Sequence, residues 1–361
     1  MNKKKNLFGS WKNWRIKTLY ILILLVFGFY GFRLFTLQII DGEEYIAQAD
    51  ENRISNVSIQ TERGIIYDRN GIVLAKNAAA YNVMITPADL PTDEGATQEI
   101  YRQLSEVIDI PVSNGELTDE VVRMFSPCNT DLGIAEIVEI ADTNAPYTPM
   151  EIKCDVDKMT AMLIESQSDE WPGITIEVEP IREYPTGELT AEVVGFLGPI
   201  PESQEEYYTE LGFVAGRDKV GYSGVEATMQ DILAGKNGLR VVEVDVAGKV
   251  IRDVEPPVES EAGLNVKLTI DTRLQQAAKA ALIGNIDWWN RWFNDVRFTN
   301  GVVIAMNPKT GEILALVSYP TYENNRMARF IPAYYYQQLS EDPNRPLFNH
   351  AISAEHPPGS V

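Results

Sequence analysis

The sequence predicts an α+β protein in three successive parts. These are an N-terminal transmembrane helix, a β-rich region with a helical insertion, and the start of an α/β domain. Three observations lead there. Residues 19–32 carry no charge. Strand-like runs at 54–86 and 171–252 flank a stretch of helical pattern at about 87–170. From Leu264 onward the strands become apolar on both faces. A chain of 361 residues is long enough for two ordinary domains, and 45% hydrophobic composition permits sizeable cores.

The first element is the uncharged stretch Leu19 to Phe32, which continues mostly apolar from Leu34 to Ile40 after Arg33. A helix needs about 20 apolar residues to cross the hydrocarbon core. Residues 16–36 reach that length if Arg33 snorkels toward the headgroups. A cleavable signal peptide is the rival, but the run is longer than such peptides use and no small-x-small cleavage site follows it. Six positive charges precede Leu19, which by the positive-inside rule makes residues 1–18 a cytoplasmic tail and 19–40 the anchor. The expected protein is single-pass in the cell membrane, with its body outside the cytoplasm from about residue 41.

Charge sharpens that division. The chain carries −21 overall, yet residues 1–40 hold seven basic residues and no acidic one, so the remainder has 24 basic against 52 acidic, or −28. A surface of that sign repels phosphates, which excludes nucleic acid as a partner and disfavours docking of the body on anionic headgroups. Two cysteines and two histidines, widely scattered, match no metal-ligand spacing, so neither metal nor cofactor is expected. Export permits a Cys128–Cys154 disulfide. Two unpaired buried thiols fit the sequence equally well.

Residues 41–263 form the β-rich region. The anchor helix continues past residue 41 and leads into a strand at Ile54–Ile59. In RGIIYDRNGIVLA (63–75) two apolar runs flank Asn70-Gly71, the dipeptide of a tight hairpin in which both turn residues take positive φ. Helical patterns near 97–108, 117–125, 131–141 and 155–167 make up the insertion. Ile174 to Val178 alternates as a strand, and the β-rich pieces 54–86 and 171–252 are expected to pair in one sheet. VGYSGVEATMQDILAGKNG (220–238) reads as one bounded helix, with Ser223 and Glu226 in a reciprocal capping box and Gly235 as its stop. LRVVEVDV (239–246) alternates as a strand that turns back into Val250-Ile251.

Residues 264–361 form the last part. VKLTI (266–270) is a strand, and Asp271 caps a helix whose apolar positions are Leu274, Ala277, Ala278, Ala281 and Leu282. WWNRWF (288–293) reads as irregular. Two apolar strands then flank Asn307-Pro-Lys-Thr-Gly311, a turn. The tryptophans at 288, 289 and 292 and Tyr334-Tyr335-Tyr336 could stack on carbohydrate, but packing is the commoner use of such residues.

Four blocks together resemble a known family. They are Arg63-Gly-x-x-Tyr-Asp-Arg-Asn-Gly71; Gly221-x-x-Gly-x-Glu226 with Leu233-x-Gly-x-x-Gly238; Asn307-Pro-Lys-Thr-Gly-Glu-Ile-Leu-Ala315; and the tail from Asn349 to Pro357-Pro-Gly-Ser360. In order and spacing they look like a class B penicillin-binding protein, and residues 170–198 resemble the elongation-type members. The resemblance implies a membrane-anchored pedestal, called the dimerisation domain, followed by a penicillin-binding transpeptidase domain. It implies a peptidoglycan D,D-transpeptidase that acts on stem peptides and is acylated by β-lactams. It also implies a membrane glycosyltransferase partner and a homodimer.

By the same resemblance Ser360 matches the nucleophile of Ser-x-x-Lys, and Glu226 matches the glutamate that pairs with Arg63 to tie the pedestal together. A serine hydroxyl needs an adjacent base, and a lysine one helical turn later supplies it. The chain ends at Val361, short of that lysine and of the later Ser-x-Asn and Lys-Thr-Gly blocks. By itself it is therefore expected to form no stable acyl-enzyme. Lys309-Thr310-Gly311 spells the last of those blocks but precedes the serine, at a hairpin tip. A Ser360–His356 pairing is disfavoured, because the intervening prolines extend the path. The alternative function is a non-catalytic, membrane-anchored scaffold that binds a cell-wall glycosyltransferase. A membrane β-lactam sensor also uses Ser-x-x-Lys but needs a cytoplasmic output larger than about 18 residues.

Overall fold

The structure is a computed structural model that describes residues 8–41, 53–115, 117–128, 130–244, 250–329 and 331–355. It divides into two compact units, Met1–Asn56 with Val241–Glu255, and Val57–Arg240 with Pro256–Val361.

The first unit contains the helix Phe8–Phe35, which widens into a π-turn at Thr36–Ile40. The segment Ile16–Ile40 has a mean hydropathy of 1.9 and none of it is buried. Its apolar side chains face outward all round, as expected of a helix whose solvent is lipid. The expected continuation of this helix past residue 41 lies outside the described residues. The strands β8 (Gly238–Val244) and β9 (Val250–Asp253) form a hairpin in which Val242 pairs with Asp253 and Glu243 with Arg252. They belong to a sheet ordered β1-β8-β9, β1 being Ile54–Ile59.

The second unit is built around one long strand, β3 (Val73–Ile85). Its first residues pair with β2 (Ile66–Tyr67), and its last five residues pair with β4 (Met150–Val156). The antiparallel β5 (Ile174–Glu183) runs beside it from Lys76↔Glu183 to Ile85↔Ile174. Of the segments expected to share one sheet, 66–85 and 174–183 do so, whereas β1, β8 and β9 form a separate sheet and residues 197–199 and 219–221 a third, so 54–86 and 171–252 are not a single sheet. β10 (Val266–Lys267) then adds in parallel to β2, so the segment expected to open the second domain is hydrogen-bonded to the first hairpin.

Insertion helices Glu94–Ile108, Ile134–Asn144 and Lys158–Ser166 bury Ile100, Leu104, Ile134, Ile137 and Ile164 against Val83, Ile85 and Ile152 of the sheet. Asp93 caps the first through the amide of Ala96. Cys128 and Cys154 form a disulfide across 26 positions, beside the start of this layer.

Several local expectations are corrected. Only Gly71 of the Asn-Gly pair has positive φ. Asp68 sets this turn, accepting from the amides of Asn70 (2.7 Å) and Ile72 (2.8 Å), so Asn70 keeps ordinary backbone angles. The 220–238 stretch is a short strand, β7 (Lys219–Gly221), paired with β6 (Leu197–Pro199), followed by two one-turn helices, Gly224–Thr228 and Gln230–Leu233. Ser223 makes no side-chain cap. The stretch at 288–293 is not irregular but completes the helix Thr272–Phe293, which Asn294 ends in the left-handed conformation.

Strands β11 (Gly301–Met306) and β12 (Ile313–Tyr319) form an antiparallel hairpin packed on that helix. β12 buries Ala315 and Val317, whereas Ile304 and Met306 of β11 are exposed. Lys309-Thr310-Gly311 lies in its turn, with Gly311 at φ +76.

Candidate functional site

The first block closes around one carboxylate. A Cβ at Gly64 would overlap the Leu264 carbonyl, and one at Gly221 would overlap the carbonyl of Glu226, so both positions admit the backbone only as glycine. Through these close approaches Arg63 and Glu226, 163 positions apart, come together. Arg63 Nε donates to Glu226 Oε2 at 2.6 Å, and its Nη2 donates to the Glu226 carbonyl at 2.9 Å.

A third residue, which the sequence reading missed, completes the cluster. Arg182 Nε donates to the other carboxylate oxygen, Oε1, at 2.8 Å, its Nη2 to the Gly64 carbonyl at 2.8 Å, and its Nη1 to Asn77 Oδ1 at 3.1 Å. Asn77 returns the link through its Nδ2 to the Arg63 carbonyl at 2.8 Å. Glu226 and Arg182 are buried. Burial pulls the Arg63 guanidinium below its ordinary value, and Glu226 offsets part of that loss. These donors all end on protein acceptors, so among the described residues the cluster is a junction of four segments and contains no nucleophile. Because both carboxylate oxygens are committed to arginines, Glu226 is not available to the capping box.

A second junction lies at the helix Thr272–Phe293. Asp68 is buried, and its Oδ2 accepts from Thr272 Oγ1 (2.6 Å) and the Thr272 amide (3.2 Å). Asp271 caps the same helix through the amides of Arg273 and Leu274. Two carboxylates at one helix N-terminus suit its partial positive charge. Burial alone would raise the Asp68 carboxyl. The bonds from Thr272, Ile72 and Asn70 outweigh it and bring the group down to about 2.

The tail is guided by a third set of contacts. Asn349 caps the one-turn helix His350–Ser353 and donates to the Glu192 carbonyl at 3.1 Å, while the His350 amide donates to Ser318 Oγ of β12 at 3.0 Å. Ser360 and His356 lie outside the described residues, so the structure does not place the expected nucleophile.

Of the tyrosine triplet, only Tyr335 is buried, with the Arg326 guanidinium 3.8 Å from its ring centre. The three tryptophans are 41–69% exposed, and they pack along their own helix, Trp288 on Trp292 and Trp289 on Phe293, and not in a buried core. Cys128, Glu151 and Cys154 bring three potential metal-ligand atoms within 4.8 Å of one another. The disulfide occupies both sulfurs, so they offer no thiolate to a metal.

Residues 58–268 match the family described as the Penicillin-binding Protein dimerisation domain, and residues 301–361 match the Penicillin binding protein transpeptidase domain. The peptidoglycan D,D-transpeptidase MrdA of Escherichia coli K12 is 30% identical over 342 residues, covering 94% of this chain and 48% of that protein. MrdA of Haemophilus influenzae is 28% identical over 363 residues, covering 99% of this chain and 49% of the relative. Among solved structures, a chain from a peptidoglycan synthase complex that coordinates polymerization and crosslinking is similar with a TM-score of 0.58 and 26% identity, over 93% of this chain and 52% of that one. The chain spans about half the length of these relatives.

Proposed function

The chain belongs to the penicillin-binding proteins, and from that premise we propose that it serves peptidoglycan crosslinking as a serine D,D-transpeptidase of the elongation type. The observation that carries this reading is the identity with MrdA along nearly the whole chain, through the dimerisation match and into the transpeptidase match. In the proposed reaction Ser360 Oγ attacks the carbonyl of a donor stem peptide. Its proton passes to a lysine expected one helical turn on, beyond residue 361. The peptide bond breaks, D-alanine leaves as the amine, and an acyl-serine ester remains. An acceptor amine then attacks the ester, forming the crosslink and returning the hydroxyl. A β-lactam acylates the same oxygen.

In this reading residues 41–263 are the pedestal, and Arg63 and Glu226 with Arg182 are its structural lock. Residues from about 264 open the transpeptidase domain, and residues 19–40 anchor the protein with its body outside the cytoplasm. A membrane glycosyltransferase is the proposed partner, supported by likeness to a chain solved within a synthase complex. The test is fluorescent penicillin applied to membranes containing the product of the gene that encodes this chain. Labelling is expected, and Ser360→Ala should abolish it. Undiminished labelling of Ser360→Ala would remove the serine from the mechanism. Co-purification of a glycosyltransferase from a product that never labels would leave only the scaffold role.

A further inference from the structure

Residues 191–224 and 322–353 enclose an open cleft of about 360 Å³, apart from the lock and bordered by Asn349, whose side chain donates to the Glu192 carbonyl. Glu192, Phe196, Tyr222, Tyr322, Tyr336 and Phe348 are among its lining. Glu192 Oε1 is buried with no hydrogen-bond partner, and Glu192 makes no ion pair among the described residues. No lysine, arginine or histidine lines the cleft. Aromatic rings cluster beside it. Phe196 lies 5.9 Å from Tyr222 and meets Tyr322 edge-on at 5.6 Å, between ring centres. The Tyr322 hydroxyl donates to the Ala191 carbonyl and lies 3.3 Å from Ser223 Oγ, and the Tyr222 hydroxyl donates to the Pro199 carbonyl. Both phenols therefore have partners other than Glu192.

A carboxylate taken out of water without a partner is costly, so such a group is either neutral or waiting for a cation. A cleft that adds several aromatic rings to that carboxylate is attractive to a cation through their quadrupoles and to methylenes through their apolar area. An anion would meet the carboxylate and a net charge of −21. The volume suits a side chain or a small molecule.

We propose that this cleft binds an alkylammonium group of the lysine type, with Glu192 as the counter-ion and the surrounding rings enclosing the methylenes. Burial pushes the empty Glu192 carboxyl up to about 8, so binding a cation at neutral pH ionises it and releases a proton. Tyr222 and Tyr322, the other groups on the lining with displaced values, are pushed above the ordinary tyrosine range by burial, which leaves them protonated at neutral pH.

The test is calorimetric titration of the purified chain at pH 7 with Nα-acetyl-lysine methylamide, cadaverine and the neutral Nα-acetyl-norleucine methylamide. Saturable binding of an amine, with the norleucine probe at least about tenfold weaker, is the expected result. Tighter binding of the lysine amide than of cadaverine assigns the ammonium to a peptide, and the reverse assigns it to a free diamine. Glu192→Gln should weaken the amine by about tenfold without lowering the unfolding transition, because no ion pair is lost and the raised carboxyl disfavours the folded state at neutral pH. Repeating the titration in buffers of different ionisation enthalpy should show close to one proton released per amine in the parent and none in Glu192→Gln. Failure of both amines to bind, equal binding by Glu192→Gln, or binding without proton release would each overturn the assignment. None of these outcomes depends on acylation of Ser360, so the inference stands or falls apart from the transpeptidase reading.

Discussion

At the scale of single residues, one buried carboxylate holds two guanidiniums, and the order of their removal can be foreseen. Losing one partner of a buried pair costs about 3–5 kcal/mol, because the remaining charge is stranded. Arg182→Ala is expected to cost that much, since it also releases the Gly64 carbonyl and Asn77. Arg63→Ala should fall at the lower end, as Arg182 stays on Glu226. Ser223→Ala, which breaks no cap, should cost less than about 1 kcal/mol. Denaturant unfolding of the three variants checks the ranking, and equal losses would remove the long-range lock from the account. Two other carboxyls give opposite pH dependence. Asp68 lies at about 2 against an ordinary 3.8, so the stability it contributes is present above about pH 4 and is lost as pH falls toward 2. Glu192 lies at about 8 against 4.5, so the folded state holds its proton longer and loses stability as pH rises through that interval. Thermal melts between pH 2 and pH 9 should show Asp68→Asn flattening the acid limb and Glu192→Gln removing the loss of stability between about pH 4.5 and pH 8.

At the scale of elements, what could be read from the residues was whatever repeated with a period or used turn chemistry. The insertion helices, the pairing of 76–85 with 174–183 and the cap at Asp271 all carry such signals and are present, whereas 54–59, 238–244 and 250–253, expected in the same sheet, form another. β4 carries one too, with apolar residues at 150, 152, 154 and 156, yet no strand is expected there from the sequence and its last two residues fall in the expected helix at 155–167. The 220–238 segment failed for a different reason. Its local capping pattern is real, but a buried long-range ion pair takes the glutamate, and no local pattern reveals a partner 163 positions away. Only the family resemblance supplied Arg63, and nothing singled out Arg182, an arginine within an otherwise ordinary strand. The aromatic run 288–293 was read as irregular because bulky rings are middling helix formers. As helix it places Trp288 on Trp292 and Trp289 on Phe293, each pair four residues apart and stacked. The disulfide could not be read at all, since separation alone does not bring two sulfurs together. It ties the segment before β4 to β4 itself. Reduction, or Cys128→Ser with Cys154→Ser, should therefore lower stability by up to about 3 kcal/mol. Hydrogen exchange is expected to rise around 119–156 and to stay low where β3 pairs with β5.

At the scale of the whole molecule, charge and hydropathy set an orientation that no contact in the fold can set. Seven basic residues and no acidic ones lie within the first 40 positions, while the rest carries −28. The apolar segment Ile16–Ile40 is long enough to cross a bilayer. Translocation resists the basic flank far more than the acidic body, so the N-terminus should remain inside. The orientation can be measured directly in intact cells. With both native cysteines replaced by serine, Ser340→Cys should react with a membrane-impermeant maleimide, and Ser10→Cys should react only after permeabilisation. Replacing Lys3, Lys4, Lys5, Lys12, Arg15 and Lys17 with glutamine should erode that contrast, since it removes the positive flank and leaves the apolar segment intact. If Ser10→Cys were labelled in intact cells while the basic residues remained, the anchor would run the other way. A body so oriented would lie in the cytoplasm, away from any exported peptidoglycan, and the crosslinking proposal could not hold.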